Sequence, residues 1–414
     1  MKYFVLILLA VSSSVAQPLM PAKPAEQGFS ADRLGRIDLM VNEQLTNKWI
    51  QGAVVLIARN GKVVYHKAYG FSDLEKQTPM KKDDIFRNAS QTKAITSLAV
   101  MMLFEEGKFM LDDPISNYIP EFNNPKVLNN MNWSDTSYTT VPAKGEVTIR
   151  QLLTHTSGID YAIIGSQDFK AIYAKAGVPV GIGDGKGALA DKIKILGGLP
   201  LKHQPGDAFT YGLNTDVLGY LVEVSSGMSL DQFFRTRIFT PLGMNDTYFY
   251  LPKEKQSRLV PLYQVRNNAL EKSTNAIGGN PDYPKAEGTY FSGGAGLSGS
   301  IEDYAKFLQL FINKGEYNGV RLLSRKTVEL MLTNQTLAPV TTQFGLGFAL
   351  ETDKNDYQSI SSMGTFSWGG AFATSYWGDP KEKLVGIIYT NMIGAPGHGR
   401  SEKFKILTYQ AIID

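Results

Sequence analysis

An α+β protein is expected from three observations on this 414-residue chain. An amphipathic helix runs straight into an antiparallel hairpin, and a later helix is apolar around nearly its whole circumference. Five sequence motifs extend the reading to the rest of the chain. The composition, 43% hydrophobic and 20% charged, is that of an ordinary globular protein, and the length allows two domain-sized cores.

The first element is not part of the mature fold. Lys2 precedes an apolar stretch from Phe4 to Val11, and Ser14-Val15-Ala16 is a small-x-small site of the kind cut before Gln17. Residues 1–16 therefore read as a signal peptide, and the mature protein is expected to be periplasmic or secreted. The apolar run is too short for a permanent membrane helix, and no cysteine follows to carry a lipid, so no stable membrane anchor is expected. Pro18, Pro21 and Pro24 then predict an extended linker over 17–28.

The folded part begins with a helix capped by Ser30. Leu34, Ile37, Val41 and Leu45 recur on one face, and Asp32 sits in the first turn, where the helix dipole favours an anion. Two apolar, β-branched runs follow, Ala53 to Ala58 and Lys62 to His66, on either side of Asn60-Gly61. That dipeptide tolerates the positive φ angles of a tight turn, which predicts an antiparallel hairpin.

The segment from Ser90 to Glu106 differs. Ile95, Leu98, Ala99, Val100, Met101, Met102 and Leu103 leave no polar face, so this helix is expected to be buried and closed by Gly107. Polar groups at its start then need a reason. Ser90 and Lys93 are three residues apart, and one turn puts them on the same face. Desolvation is expected to push the amine towards neutrality, where it can take the serine proton. Taken alone, Ser-x-x-Lys is a weak signal that equally describes a capped helix with a solvated lysine.

Other chemistries find little support. A net charge of +3, from 42 basic and 39 acidic side chains without a long basic run, gives no footprint for nucleic acid. Cysteine is absent, which removes thiol catalysis, disulfides and thiolate metal sites. The four histidines include no His-Glu-x-x-His, so neither a metal nor another cofactor is expected. A Ser-His-Asp hydrolase would show Gly-x-Ser-x-Gly; the nearest stretch, Gly296-Leu297-Ser298-Gly299-Ser300, lacks the last glycine. His155 reads as a loop organiser, His66 lies in a strand and His203 precedes a turn.

The surroundings of Ser90 narrow the choice. Phe86-Arg87-Asn88-Ala89-Ser90-Gln91-Thr92-Lys93, with Glu106-Gly107-Lys108 and Leu111-Asp112-Asp113-Pro114 after it, resembles the active-site helix of the class C β-lactamase and penicillin-binding-protein superfamily. Thr148-Ile149-Arg150-Gln151-Leu152-Leu153-Thr154-His155-Thr156-Ser157-Gly158 resembles that family's most recognisable loop. Gln204-Pro205-Gly206 leading to Phe209-Thr210-Tyr211 resembles its tyrosine motif, and Gly293-Gly294-Ala295-Gly296-Leu297 and Gly345-Leu346-Gly347-Phe348 also match. The resemblance implies a β-lactamase/transpeptidase-like fold. An antiparallel sheet flanked by helices would come from residues 29–85 and 285–414, a mostly helical domain from 86–284, and the active site would lie between them. In the helical part, Ser229-Leu230-Asp231-Gln232 has capping-box spacing and opens a helix ending near Gly243. Phe404, Leu407 and Ala411 share a face, which suggests a C-terminal helix beside the N-terminal one.

The resemblance also implies roles. Ser90 would attack a carbonyl carbon to give an acyl-enzyme, Lys93 would take its proton or stabilise charge on a neighbouring base, and Tyr211 is the second base candidate. Backbone N–H groups of Ser90 and Ala371 would hold the oxyanion. The third family motif is typically Lys-Thr-Gly or His-x-Gly, whereas Ser367-Trp368-Gly369-Gly370-Ala371 has tryptophan at the cationic position, so a ligand carboxylate loses its anchor. The tyrosine motif usually reads Tyr-x-Asn; here Leu213 takes the amide position and Asn214 is one residue late. Leu213, Asn214, Trp368, Gly369 and Gly370 are the expected substrate-binding residues. These departures, with Thr215-Asp216-Val217-Leu218-Gly219, look like the family VIII carboxylesterases of this superfamily. A serine hydrolase acting on small-molecule esters of short to medium acyl length, with weak β-lactam cleavage, is the expectation. The alternatives are a β-lactamase or D-amino-acid peptidase of the same family, acting on amides, and a noncatalytic peptidoglycan binder. The loops Asn123 to Gly145 and Ile163 to Gly187 are not constrained by the motifs.

Overall fold

The computed structural model describes residues 19–182, 187–394 and 399–414. The expected signal peptide and cleavage site lie outside the described residues. The architecture is built on one sheet whose central strands are β1 (Gly52–Arg59), β2 (Lys62–Asp73), β3 (Phe366–Gly370), β4 (Thr374–Asp379) and β5 (Leu384–Tyr389), in the spatial order β2-β1-β5-β4-β3, all antiparallel. Met20–Pro21 adds a short parallel edge outside β2, and Ala349–Leu350 an antiparallel one outside β3. Asn60 and Gly61 join β1 to β2 with φ of 53° and 73°, the positive pair that a two-residue hairpin requires.

Five helices pack around this sheet and place the site: α1 (Ala31–Thr46), α2 (Thr92–Glu105), α3 (Asn214–Ser226), α4 (Ile301–Ile312) and α5 (Arg400–Tyr409). One face of the sheet presents Ala53, Val55, Ile57, Leu384 and Ile388 to Leu34, Ile37, Met40 and Val41 of α1 and Phe404 and Tyr409 of α5. Gln410, just after α5, ties the two helices together: Arg36 Nη1 donates to its Oε1 at 2.7 Å, and its Nε2 donates to Arg33 O at 2.9 Å. Ser30 Oγ caps α1 by accepting from Arg33 N at 3.3 Å. The expected pairing of terminal helices is present.

The opposite face presents Val54, Leu56, Ala58, Val385, Ile387 and Tyr389 to a larger core that includes α2, α3 and α4. Every residue of β1 is buried, and Ala53 to Ala58 is an unbroken apolar run, as in strands covered on both faces. All residues of α2 from Thr92 to Leu103 are buried too. Burial of each large apolar side chain contributes roughly 1.5–3 kcal/mol, so packing rather than intrinsic propensity holds α2.

Three expectations change. Residues 19–28 are not a free linker: Ala22 N donates to Val63 O at 2.9 Å and Leu19 N to Tyr317 Oη at 3.1 Å, with Pro21 on a sheet edge where its missing N–H is tolerated. Within 123–145, Lys126–Asn132 and Ser137–Pro142 form an antiparallel hairpin whose strands are largely exposed and therefore lack apolar alternation. Within 163–187, Gln167–Ala176 is a helix that buries Phe169, Ile172 and Tyr173 and ends at Gly177 in the left-handed conformation. Further on, Ser229 Oγ accepts from Gln232 N at 3.2 Å, and the helix it opens passes through a π turn over Arg235–Phe239 before stopping at Gly243.

Candidate active site

The short strand Phe86–Arg87 pairs antiparallel with Ser298–Gly299 and delivers the chain to a 3-10 turn, Ala89–Gln91, that precedes α2. Arg87 anchors the delivery. Its guanidinium, fully buried, donates to Val260 O at 2.6 Å, to Pro281 O at 2.9 Å and to Asn391 Oδ1 at 3.3 Å, while Asp282 lies 3.9 Å away. Burial pushes Arg87 down to about 10, which leaves it charged at neutral pH. Asn88 N donates to Leu297 O at 3.0 Å and Leu297 N to Thr92 Oγ1 at 3.1 Å, so the turn is fixed at both ends. Ala89 has φ of 46°, a left-handed conformation that disfavours a β-carbon. The result is that Ser90, half-buried, is presented to a cavity of about 850 Å³.

Lys93 sits one turn below, 3% exposed. Its Nζ donates to Gly294 O at 2.8 Å and to Tyr161 Oη at 3.4 Å, and lies 4.7 Å from the centre of the Tyr211 ring. Burial disfavours its ammonium, but Tyr161, Tyr211 and Asp216 act the other way and prevail, so Lys93 is held above the ordinary amine range. Desolvation was expected to push the amine towards neutrality, whereas here the neighbouring oxygens outweigh burial and favour the ammonium.

Tyr211 is half-buried, its ring 4.9 Å from His155, 5.7 Å from Tyr161 and 5.5 Å from Trp368, centre to centre. Its loop is clamped to the His155 loop: Thr210 N donates to His155 O at 2.7 Å and Gly206 N to Thr156 O at 2.8 Å. A β-carbon on Gly212 would lie 2.0 Å from Ile159 O, so only glycine permits this approach. His155 is buried, and burial together with the Lys93 charge holds it well below the usual imidazole range, hence neutral. It organises the loop, as its sequence context suggests, and stacks edge-on against Phe209 and Phe344.

The strand expected to face Ser90 does so. A β-carbon on Gly370 would lie 2.3 Å from Asn88 O and 2.4 Å from Thr374 Oγ1, so β3 passes directly against the nucleophile turn. Ser90, Tyr211, Trp368, Gly369, Gly370 and Ala371 line one cavity, which brings the two expected oxyanion donors to the same place. On β3, Ala349–Leu350 reaches only Phe366 and Ser367, so among the described residues the Trp368–Gly370 edge of β3 is open beside Ser90.

Two expected substrate contacts are corrected. Leu213 is 1% exposed and belongs to the main core, its backbone N donating to Asp160 O at 3.2 Å. Asn214 is fully buried, its Nδ2 meeting His155 Nδ1 at 3.0 Å and its Oδ1 accepting from Ser157 Oγ. An apolar residue beginning α3 and an amide that closes a loop network cannot also reach a ligand. In the other direction, Tyr161, Asp216 and Gly294 surround Lys93, and Ser292 bonds Asp216, without having been singled out for the site. Asp216, a fully buried acid in the first turn of α3, was the available signal. Among the described residues no cluster of three His, Asp or Glu could hold a metal ion, and no helix is long and apolar enough to cross a membrane.

Comparison with known proteins gives a consistent picture. The Beta-lactamase family model matches residues 37–408. Protein Rv1367c of Mycobacterium tuberculosis is 32% identical over 355 residues, 82% of this chain and 85% of that protein. Esterase EstB of Burkholderia gladioli is 29% identical, over 87% of this chain and 91% of its own. Among solved structures, EstCE1, described as a hydrolase with promiscuous acyltransferase activity, superposes with a TM-score of 0.78 at 27% identity, covering 91% of this chain and 99% of that one.

Proposed function

We propose that this chain, which belongs to the Beta-lactamase family, cleaves carboxylic esters of short to medium acyl length through an acyl-enzyme on Ser90. It is a serine hydrolase of that family. The observation that carries the ester reading is Trp368, an indole on the cavity wall where a carboxylate-binding cation would otherwise stand.

The chemistry is built from the geometry. Ser90 Oγ attacks the carbonyl carbon, its proton passes to the Tyr211 oxygen, and backbone N–H groups of Ser90 and Ala371 take the charge on the carbonyl oxygen. Lys93, as an ammonium beside the Tyr211 ring, stabilises the negative charge that this oxygen carries between proton transfers. The proton then goes to the departing alkoxide, and water repeats the sequence to release the acid. Lys93 is thus a fixed charge and a positioner, and Tyr211 the base.

Because a charge-assisted hydrogen bond is worth roughly 1.5–3 kcal/mol, lack of a cation at Trp368 weakens carboxylate-bearing lactams by about one to two decades. Esters need less positioning, since an alkoxide leaves more readily than the amine of a poorly anchored amide. With Leu213 in the core, the ester preference rests on Trp368. The test is kcat/KM for p-nitrophenyl butyrate and nitrocefin on one preparation. The ester is expected to exceed the lactam by at least tenfold, and a better rate with nitrocefin would replace the esterase reading by a lactamase one.

Export belongs to the same proposal. The charged, apolar and small-residue succession over 1–16 supports removal before Gln17 and action outside the cytoplasm. N-terminal sequencing of protein from its native host is expected to start at Gln17; an intact Met1 would refute export.

A further inference from the structure

We propose that Phe344 is a positioning residue of this site, a buried ring that backs the Trp368 indole and thereby sets the size of ester the cavity admits. The inference rests on the reading of Ser90 as nucleophile and Trp368 as an apolar cavity wall. It also gives a task to the Gly345-Leu346-Gly347-Phe348 motif, which the catalytic groups leave unassigned.

The motif carries Phe344 on a rigid base. A β-carbon on Gly345 would lie 2.1 Å from Met331 O, and one on Gly347 would lie 2.4 Å from Ser97 Oγ. Gly347 also has φ of 99°, so the turn presses on α2 and on the helix Arg325–Met331 as only glycine allows. Leu346 N donates to Met331 O at 2.9 Å, and Gly345 N to Phe348 O at 2.8 Å. Phe344 itself is bonded through both backbone groups: its N–H donates to Asn334 Oδ1 at 2.9 Å, and its carbonyl accepts from Gln335 N at 2.8 Å.

The side chain is 1% exposed. Its ring centre lies 5.4 Å from Trp368 with the planes at 87°, 5.6 Å from His155 at 77° and 5.4 Å from Phe209. Tyr211 is 4.9 Å from His155 and 5.5 Å from Trp368, so Phe344, Trp368, Tyr211 and His155 form a closed circuit of rings. All four contacts fall in the range where edge-on and tilted aromatic pairs attract. Tyr211 and Trp368 line the cavity with Ser90, while His155 and Phe344 are the buried pair behind them. Trp368 depends on that support. The next residues of its strand, Gly369 and Gly370, supply no side chain to hold the indole. A smaller residue at 344 leaves space behind the indole that the surroundings fill only in part, and the indole turns into it. The cavity then widens beside Ser90, while the serine, lysine and tyrosine stay in place.

The experiment is kcat/KM for two series of esters, with wild type, Phe344→Leu, Phe344→Ala and Phe234→Leu. One series varies the acyl part, p-nitrophenyl acetate, butyrate and octanoate; the other varies the alcohol, phenyl and naphthyl acetate. Phe344→Leu is expected to raise the ratio of large to small ester by about tenfold in the series whose varied part faces the indole, the low end of what a methylene-scale change in a pocket does. Phe344→Ala should raise it further, and if that variant does not fold, Phe344→Leu decides. Phe234 is the control for lost packing: it is fully buried and stacks 5.5 Å from Phe249, and neither ring lines the cavity. Phe234→Leu is expected to lower the melting temperature as Phe344→Leu does and to leave both ratios unchanged. Ratios unmoved in folded Phe344→Leu, or moved equally in Phe234→Leu, mean that Phe344 only fills space, and the inference fails. Failure of the underlying reading looks different: the wild type itself would turn over neither series.

Discussion

Burial opposes the Lys93 ammonium while Tyr161, Tyr211 and Asp216 favour it, and this balance supports the charge-stabilising role among the two the sequence left open for Lys93. Its ammonium is bonded to Gly294 O and Tyr161 Oη, groups that accept but do not compete for the nucleophile. On the proposed mechanism Ser90, Lys93 and Tyr211 act as one proton-transfer unit, so their losses should not add. Ser90→Ala, Lys93→Ala and Tyr211→Phe are each expected to lower kcat by roughly three decades or more, with double variants little worse than singles. Steady-state rates on one ester check this, and near-normal turnover in Ser90→Ala would sink the mechanism. At this scale the convergence of Ser90, Lys93 and Tyr211 was legible because each sits in a motif with its own spacing. Leu213 and Asn214 were misplaced for the same reason: counting along a motif locates a residue in the chain but not on which side of α3 it points.

Among elements, the approach of β3 to the nucleophile turn matters most. Periodicity and composition do not announce that Ser90 and Trp368 meet, and only the family motif pointed to it; the contact arises because β3 ends in two glycines, letting the strand pass against Asn88. A methyl group at Gly370 must displace Asn88 O, which it would approach to 2.3 Å, whereas at Gly369 the nearest atom, Thr374 O, would be 2.9 Å away. Gly370→Ala is therefore expected to reduce kcat/KM by at least tenfold, equivalent to about 1.4 kcal/mol of transition-state stabilisation. Gly369→Ala should lose less, and thermal melts run beside the kinetics would separate loss of geometry from loss of fold. Equal rates in Gly370→Ala and wild type would mean that β3 does not position the oxyanion donors. Elements were legible in proportion to burial. Helix α1 and the β1–β2 hairpin carry strong periodic or β-branched patterns, whereas the 126–142 hairpin is exposed, with Trp133 and Tyr138 open to solvent, and leaves no such pattern.

For the whole molecule, the sheet is assembled from segments near the two ends of the chain, and the motif-bearing segments converge on one of its edges. Helices α1 and α5 close one face, α4 and the large core the other, so the open stretch of β3 is left beside Ser90. Family motifs made this architecture readable, because each marks a place where backbone must pass close to its neighbours: Gly212 against Ile159, Gly294 against Asp216 and Lys93, Gly370 against Asn88. Contacts made by side chains alone, such as Arg87 on distant carbonyls, left no comparable trace. All of it serves one claim, that Ser90 is an activated nucleophile. The most direct test is to treat the purified protein with a fluorophosphonate and map the adduct by peptide mass spectrometry, with Ser90→Ala alongside. A single adduct on the peptide containing Ser90, absent from Ser90→Ala, is the predicted result; no adduct on the wild type, or one that persists in Ser90→Ala, would contradict it.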